Sequence, residues 1–311
     1  MRSSQYSEAK KGVLYGIAAY GLWGLFPIYW KAVKVVPAHE ILCHRIVWSF
    51  LFVLVLLSVR RRWAVFLPKL RKPKTVLTFF VTASLLSLNW FLFIWSVNSG
   101  RVVEASLGYF INPLVNVVLG VFLLRERPRR WQWVAIGIAT GGVLYLTLGY
   151  GTFPWIGLTL AVTFGTYGFL RKTAALGSLE GLSLETAILF VPAVSCLLFL
   201  GLSGTGTLGH GSLKLDLLLA LGGTTTATPL LLFASSARRI TLISVGLLQY
   251  IAPTGQFLLG VFAYGEELTR GRITGFIIIW ISLLIHSIDA VRAGRRAARP
   301  AAGEPLVGPC T

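Results

Sequence analysis

Charge is what this chain has least of. Charged residues make up 13% of its 311 positions, where a soluble domain carries roughly a quarter. Acids are scarcest, with 11 Asp and Glu against 29 Lys and Arg. So little polar surface excludes a water-soluble globule. Cysteine is nearly absent too. Cys43, Cys196 and Cys310 stand at spacings that fit neither a disulfide framework nor a metal site, so they read as small apolar side chains or inert thiols. No metal or cofactor is expected. No phosphate-binding glycine loop, zinc-protease HExxH run or paired acidic motif occurs, and no nucleophile stands beside a base. An enzyme is therefore not expected.

Apolar residues, by contrast, make up 55% of the chain, with mean hydropathy +0.73. They come in long blocks. A helix needs about 20 apolar residues to cross a hydrocarbon core of ~30 Å. By that rule the sequence predicts an all-α membrane protein with ten transmembrane helices, over 12–30, 38–59, 75–97, 102–124, 130–148, 153–170, 183–202, 214–235, 241–263 and 271–290. The sixth is short and interrupted by glycines, and the eighth carries the polar run Thr224 to Pro229. Residues 1–11 are polar and more spans follow the first. The first span is thus expected to act as the targeting element rather than as a cleaved leader. Residues 291–311, rich in Ala, Arg, Pro and Gly, are expected to form a disordered basic tail.

The net charge of +18 invites a nucleic-acid partner. Its distribution excludes one. The cations sit in short clusters between apolar blocks, such as Arg60 to Lys74, where they mark cytoplasmic loops facing an anionic lipid bilayer. With the N-terminus inside, 22 of the 29 Lys and Arg fall in inside segments and 6 outside, with Arg45 inside a span. Removing one helix would invert half of that distribution.

The chain also resembles itself. A shift of 140 residues lays Ile111, Pro113, Gly120, Phe122 and Glu126 on Ile251, Pro253, Gly260, Phe262 and Glu266, with seven of sixteen positions identical over 111–126. A shift of 141 lays Gly16, Gly24 and Lys31 on Gly157, Gly165 and Lys172, and Trp23 and Phe26 on Phe164 and Tyr167. This predicts two five-helix repeats, 12–148 and 153–290. Five is odd, so the repeats would run through the membrane in opposite directions, an architecture that secondary transporters share.

Polar residues inside spans are costly and therefore informative. Tyr109, Asn112, Pro113 and Asn116 share one face of span four; Gln249, Pro253 and Gln256 share the matching face of span nine, beside Tyr250. Each proline withholds an N–H and loosens the carbonyl of Tyr109 or Gln249. Two readings are open: a substrate cavity between the repeats, or hydrogen-bond glue between packed helices. Span two carries His44, Arg45 and Trp48. Arg45 could anchor an anionic solute, pair with Glu40, Glu104 or Glu185, or snorkel outward. His44, with Glu40 and Glu104, is the basis for an expectation of proton coupling. Asn89, Trp90, Trp95 and Asn98, with Trp23 and Phe26, suit either a cavity wall or an interfacial aromatic belt. Glu126 and Glu266 lie at span ends, as helix caps or ion pairs do.

Five stretches resemble one family: GIAAYGLWGLFPIYW at 16–30, HRIVWS at 44–49, NWFLFIWSVN at 89–98, EASLGYFINPL at 104–114 and LQYIAPT at 248–254. They are similar to the RarD permeases, in the EamA branch of the drug/metabolite transporter superfamily, and the likeness runs from about residue 10 to 290. The resemblance implies a multi-pass carrier of the bacterial inner (plasma) membrane, with both termini cytoplasmic and alternating access. It also brings the label "chloramphenicol-sensitive protein", which identifies no substrate, because superfamily members export amino acids, metabolites or drugs. A permease exporting small amphipathic metabolites, amino-acid-like compounds or drugs is the expectation. The alternative is a non-transporting lipid-interacting or assembly factor. Spans five and ten, the most uniformly apolar, suit an outer scaffold or a homodimer contact.

Overall fold

In an apolar medium every backbone N–H and C=O must be bonded internally, so blocks this apolar fold as helices. The computed structural model describes residues 2–99, 101–149, 151–209, 212–265 and 270–298, and among these all regular structure is helical. The elements are α1 (Arg2–Gly24), α2 (Phe26–Ala32), α3 (Ala38–Val59), α4 (Trp63–Leu70), α5 (Pro73–Asn98), α6 (Val102–Phe122) and α7 (Arg130–Leu148). There follow α8 (Trp155–Thr173), α9 (Ser178–Leu202), α10 (Leu213–Ala237), α11 (Leu242–Gln249), α12 (Ile251–Leu258) with a π-turn over Leu259–Ala263, and α13 (Arg270–Ala298).

Nine stretches among the described residues are long and apolar enough to cross a membrane. The sixth expected span, now α8, is not one of them. At 19 residues it is as long as α7, but Thr159, Thr163, Thr166, Gly165 and Gly168 dilute it. Its buried residues, among them Ile156, Gly157, Leu160, Ala161, Gly165 and Gly168, pack against α5, α6 and α10. A helix so enclosed needs little affinity for lipid. The polar run of the eighth span leaves α10 unbroken. Thr224, Thr225 and Thr226 donate to the carbonyls of Leu221, Gly222 and Gly222 at 2.9, 3.1 and 2.6 Å.

Two expectations change. The basic stretch after α3 holds the short helix α4, whose Trp63, Phe66 and Leu70 pack with Leu57, Phe79 and Leu176 while the flanking Arg60, Arg61, Arg62, Arg71, Lys72 and Lys74 stay exposed. The terminal segment expected to be disordered from 291 continues α13 to Ala298. Residues 299–311, Glu266 and the side chain of Asn98 lie outside the described residues.

The most extensive packings pair α6 with α8, α7 with α13, α3 with α9 and α10, α1 with α10 and α12, α6 with α11, and α5 with α8 and α9. Exchange of the two halves converts this set into itself: α6 on α8 becomes α12 on α1, and α3 on α10 becomes α9 on α5. The correspondence reaches single residues. A Cβ on Gly24 would stand 3.3 Å from Gly255, and one on Gly165, its mate, 2.7 Å from Val115, the mate of Gly255. α7 and α13 lie side by side, joined by Arg129 to Asp289 at 2.6 Å and by Ser282 donating to the Ala135 carbonyl at 2.7 Å.

Candidate functional site

Two broken helices shape the centre of the bundle. Pro27, near the start of α2, has no N–H to offer the carbonyl of Trp23, and the first block breaks after Gly24. The Gln256 side chain takes up that carbonyl, Nε2 donating at 3.1 Å. Pro253 likewise cannot bond the Gln249 carbonyl, and the ninth block breaks at Tyr250 between α11 and α12. Pro113 leaves α6 continuous.

Between these elements lies a cavity of about 360 Å³. Tyr20, Trp23, Phe26, Pro27, Trp30 and Lys31 line it from α1 and α2, Arg45 from α3, and Asn89, Trp90 and Phe93 from α5. Ala105, Gly108, Tyr109 and Asn112 of α6, Leu160 and Phe164 of α8, Thr226 and Leu230 of α10, and Gln249, Ala252 and Gln256 of α11 and α12 complete it. Among the described residues, neither α7 nor α13 contributes. The cavity reaches the surface at exposed Lys31 and ends on buried Tyr20 and Leu230.

Its polar groups are held in place. Asn89 Nδ2 donates to the Leu160 carbonyl and to Thr163 Oγ1, both at 2.9 Å. Asn112 Nδ2 donates to the Ala161 carbonyl at 2.8 Å. Asn116 Nδ2 donates to Asn112 Oδ1 and Gln249 Oε1, each at 3.1 Å, so an amide chain joins α6 to α11. Arg45 Nε donates to Thr226 Oγ1 at 2.8 Å, and the guanidinium lies 4.9 Å from the Trp30 ring and 5.0 Å from Trp90.

Trp23, Phe26, Arg45, Asn89, Trp90, Tyr109, Asn112, Gln249 and Gln256 therefore meet at one cavity. Six other candidates do not reach its wall, which corrects their expected placement. Pro113 and Asn116 turn toward α11, where Gly246 comes so close that a Cβ would stand 2.7 Å from the Pro113 carbonyl oxygen and 2.9 Å from Asn116. Tyr250 is fully buried and donates to the Phe110 carbonyl at 3.2 Å. Pro253 is buried within α12. The backbone of Trp48 is covered by Gly223 of α10. His44, 2% exposed, faces Glu40 at 3.7 Å. The acids proposed for Arg45 are engaged elsewhere: Glu40 accepts from Thr207 N and Oγ1 at 2.6 and 2.8 Å, Glu104 from Ile156 N at 3.0 Å, and Glu185 from Tyr167 Oη at 3.3 Å.

Several lining residues escaped sequence reasoning. Tyr20, Pro27 and Trp30 repeat at helical spacing around Trp23, Phe164 is the repeat mate of Trp23, and Thr226 sits in the polar run of span eight. Each signal was present and passed for packing or for helix weakness.

At the end marked by Tyr20 and Leu230 the bundle is closely packed. Trp23, Phe164, Tyr167 and Phe233 pack ring on ring, with centroids 5.8 Å apart for Trp23–Phe164, 5.3 Å for Phe164–Phe233 and 6.0 Å for Tyr167–Phe233. Below them Arg171 and Glu185, 1% and 0% exposed, pair at 3.7 Å. Arg171 also donates to the Ser178 carbonyl at 2.8 Å. Arg238 donates to the carbonyls of Ala174 and Leu176 at 2.8 and 3.0 Å. Lys172 donates to those of Ala237 and Ile240. Glu126 caps α11, accepting from Leu242 N and Ile243 N at 2.7 and 3.1 Å.

The sequence profile of the EamA-like transporter family matches residues 10–148. The chain is 47% identical over 302 residues to "Protein RarD" of Streptomyces exfoliatus, covering 97% of this chain and 96% of that one. It is 44% identical over 292 residues to "Uncharacterized transporter YojE" of Bacillus subtilis, covering 93% and 97%. A solved crystal structure shares the fold with TM-score 0.69 at 19% identity, over 90% of this chain and 99% of the other.

Proposed function

The chain belongs to the RarD family of EamA-like membrane transporters, and on that footing we propose that it is a secondary carrier whose halves rock about the central cavity and open it to each side of the membrane in turn. The chief support is the make-up of that cavity. Arg45, Asn89, Tyr109 and Asn112 face it from the first half, and Thr226, Gln249 and Gln256 from the second. Polar groups that serve only as glue meet each other and leave no space between them.

The exchange of packings between halves supports two inverted five-helix repeats, with α8 as the tenth span. The basic ends, carrying Arg62, Arg171, Lys172, Arg238 and Arg239, lie on the cytoplasmic side by the positive-inside rule. Both termini are then cytoplasmic, in a bacterial inner membrane. Lys31 marks the outer mouth, so the conformation is outward-open with its cytoplasmic side closed. Small amphipathic metabolites, amino-acid-like compounds or drugs fit the mixture of amides and aromatic rings.

Cysteines introduced as Phe93→Cys and Gln256→Cys test the carrier. An impermeant maleimide is expected to label both from outside, and in inverted vesicles a cycling carrier is labelled from the cytoplasmic face as well. Protection from both faces fits a lipid-interacting or assembly factor and overturns the proposal. Asn116 is unsuited to this assay, since it lies behind the wall.

A further inference from the structure

Resting on the carrier reading, we propose that the cavity selects solutes bearing a carboxylate on a flat apolar body, and that Arg45 binds the carboxylate. Arg45 is 8% exposed and lines the cavity. Its bond from Nε to Thr226 Oγ1 is its one hydrogen bond among the described residues. Among the same residues, neither terminal nitrogen has a hydrogen-bond acceptor. Among those residues no ion pair involves Arg45, and no Asp or Glu lines the cavity. Glu40, Glu104 and Glu185, in the spans around it, accept from backbone and hydroxyl donors and are not among the lining residues. A guanidinium at this depth without a counter-charge is unfavourable. An arriving anion offsets that, and the planar fork fits a carboxylate with two parallel bonds.

The surroundings favour the same ligand. The indoles of Trp30 and Trp90, 4.9 and 5.0 Å from the guanidinium carbon, hold it by cation–π attraction without neutralising it. Lys31, exposed at the rim, adds positive potential along the approach. Trp23 and Phe164 supply flat apolar wall. A cavity of roughly 150 Å³ holds one benzene ring, so about 360 Å³ accommodates one or two rings with their substituents.

The test uses the full chain in lipid nanodiscs and three probes of one shape: phenylacetate, phenylacetamide and phenethylamine. Phenylacetate is expected to raise the melting temperature saturably, and the amide and amine to bind about 10- to 100-fold more weakly. Arg45→Gln should erase the difference between acid and amide. Arg45→Lys, which keeps the charge but not the fork, should retain part of it. Because Arg45 has no counter-ion to abandon, unliganded Arg45→Gln should melt no lower than wild type. A fall in its melting temperature, or failure to fold, identifies Arg45 as a structural partner and overturns the inference. So does equal binding of acid and amide by wild type, or a preference that survives Arg45→Gln. Vesicle uptake separates this from the carrier reading. Phenylacetate binding through Arg45 without flux of any probe refutes the carrier and leaves the anion site. Flux of phenethylamine indifferent to Arg45→Gln, with no acid preference in binding, refutes the anion site and leaves the carrier.

Discussion

Glu185→Ala removes the anion that Arg171 faces at 3.7 Å beneath the cavity floor. Arg171 is 1% exposed, so its charge is left buried without its counter-charge. Breaking such a pair costs about 3–5 kcal/mol. The contact is loose, and Arg171 Nε and Nη1 and Glu185 Oε1 have no hydrogen-bond partner, which favours the lower end, about 3 kcal/mol. In the proposed carrier that penalty falls on the outward-open conformation, in which α8, α9 and α10 are packed. When the cytoplasmic side parts, Arg171 meets water and most of the penalty disappears. The balance between conformations should shift inward by roughly 100-fold. The readout is labelling of Phe93→Cys from outside, with Cys43, Cys196 and Cys310 replaced by alanine. Labelling should slow at least about tenfold. An unchanged rate beside a lowered melting temperature would refute the role in gating and leave the pair as structural support.

Asn112→Leu and Gln249→Leu each cut the amide chain through Asn116, whose bonds to both are 3.1 Å, and strand a buried group at about 1–3 kcal/mol. Flux in proteoliposomes should fall at least about tenfold while insertion, measured by membrane yield, stays intact; wild-type flux from both would unseat the site assignment. Gly223→Ala drives a Cβ into the backbone of Trp48 and forces α3 and α10 apart at about 1–3 kcal/mol. Its melting temperature should drop, whereas Gly137→Ala, which meets nothing within 4 Å, should not lower it.

The helices were legible because their signal is local. The expected spans 38–59 and 130–148 coincide with α3 and α7, since the length of an apolar block is a property of the block alone. α8 was harder: it owes its place to neighbours, through Gly157 against Gly108 and Gly165 against Val115. The candidate site divides in the same way. Spacing showed that Tyr109, Asn112, Pro113 and Asn116 share a face, but not how α6 is rotated against α11. Gly246 decides that, drawing Pro113 and Asn116 into the contact and leaving Tyr109 and Asn112 on the cavity. The partner of Arg45 was illegible for a related reason. Glu40, Glu104 and Glu185 were equally near in hydropathy terms, and only the fold shows each already bonded.

The clamp of Glu126 on the start of α11 bears on how the protein is made. That carboxylate lies 116 residues upstream of the Leu242 amide it accepts, and the Trp23 carbonyl waits for Gln256, 233 residues later. At a synthesis rate of about 5–20 residues per second, Glu126 stands in the nascent chain without Leu242 for roughly 6–23 s. The first half thus leaves the ribosome with polar groups whose partners in the fold arrive only with the second half. A gene cut between residues 148 and 155 should yield two fragments that are degraded when made singly and persist when made together.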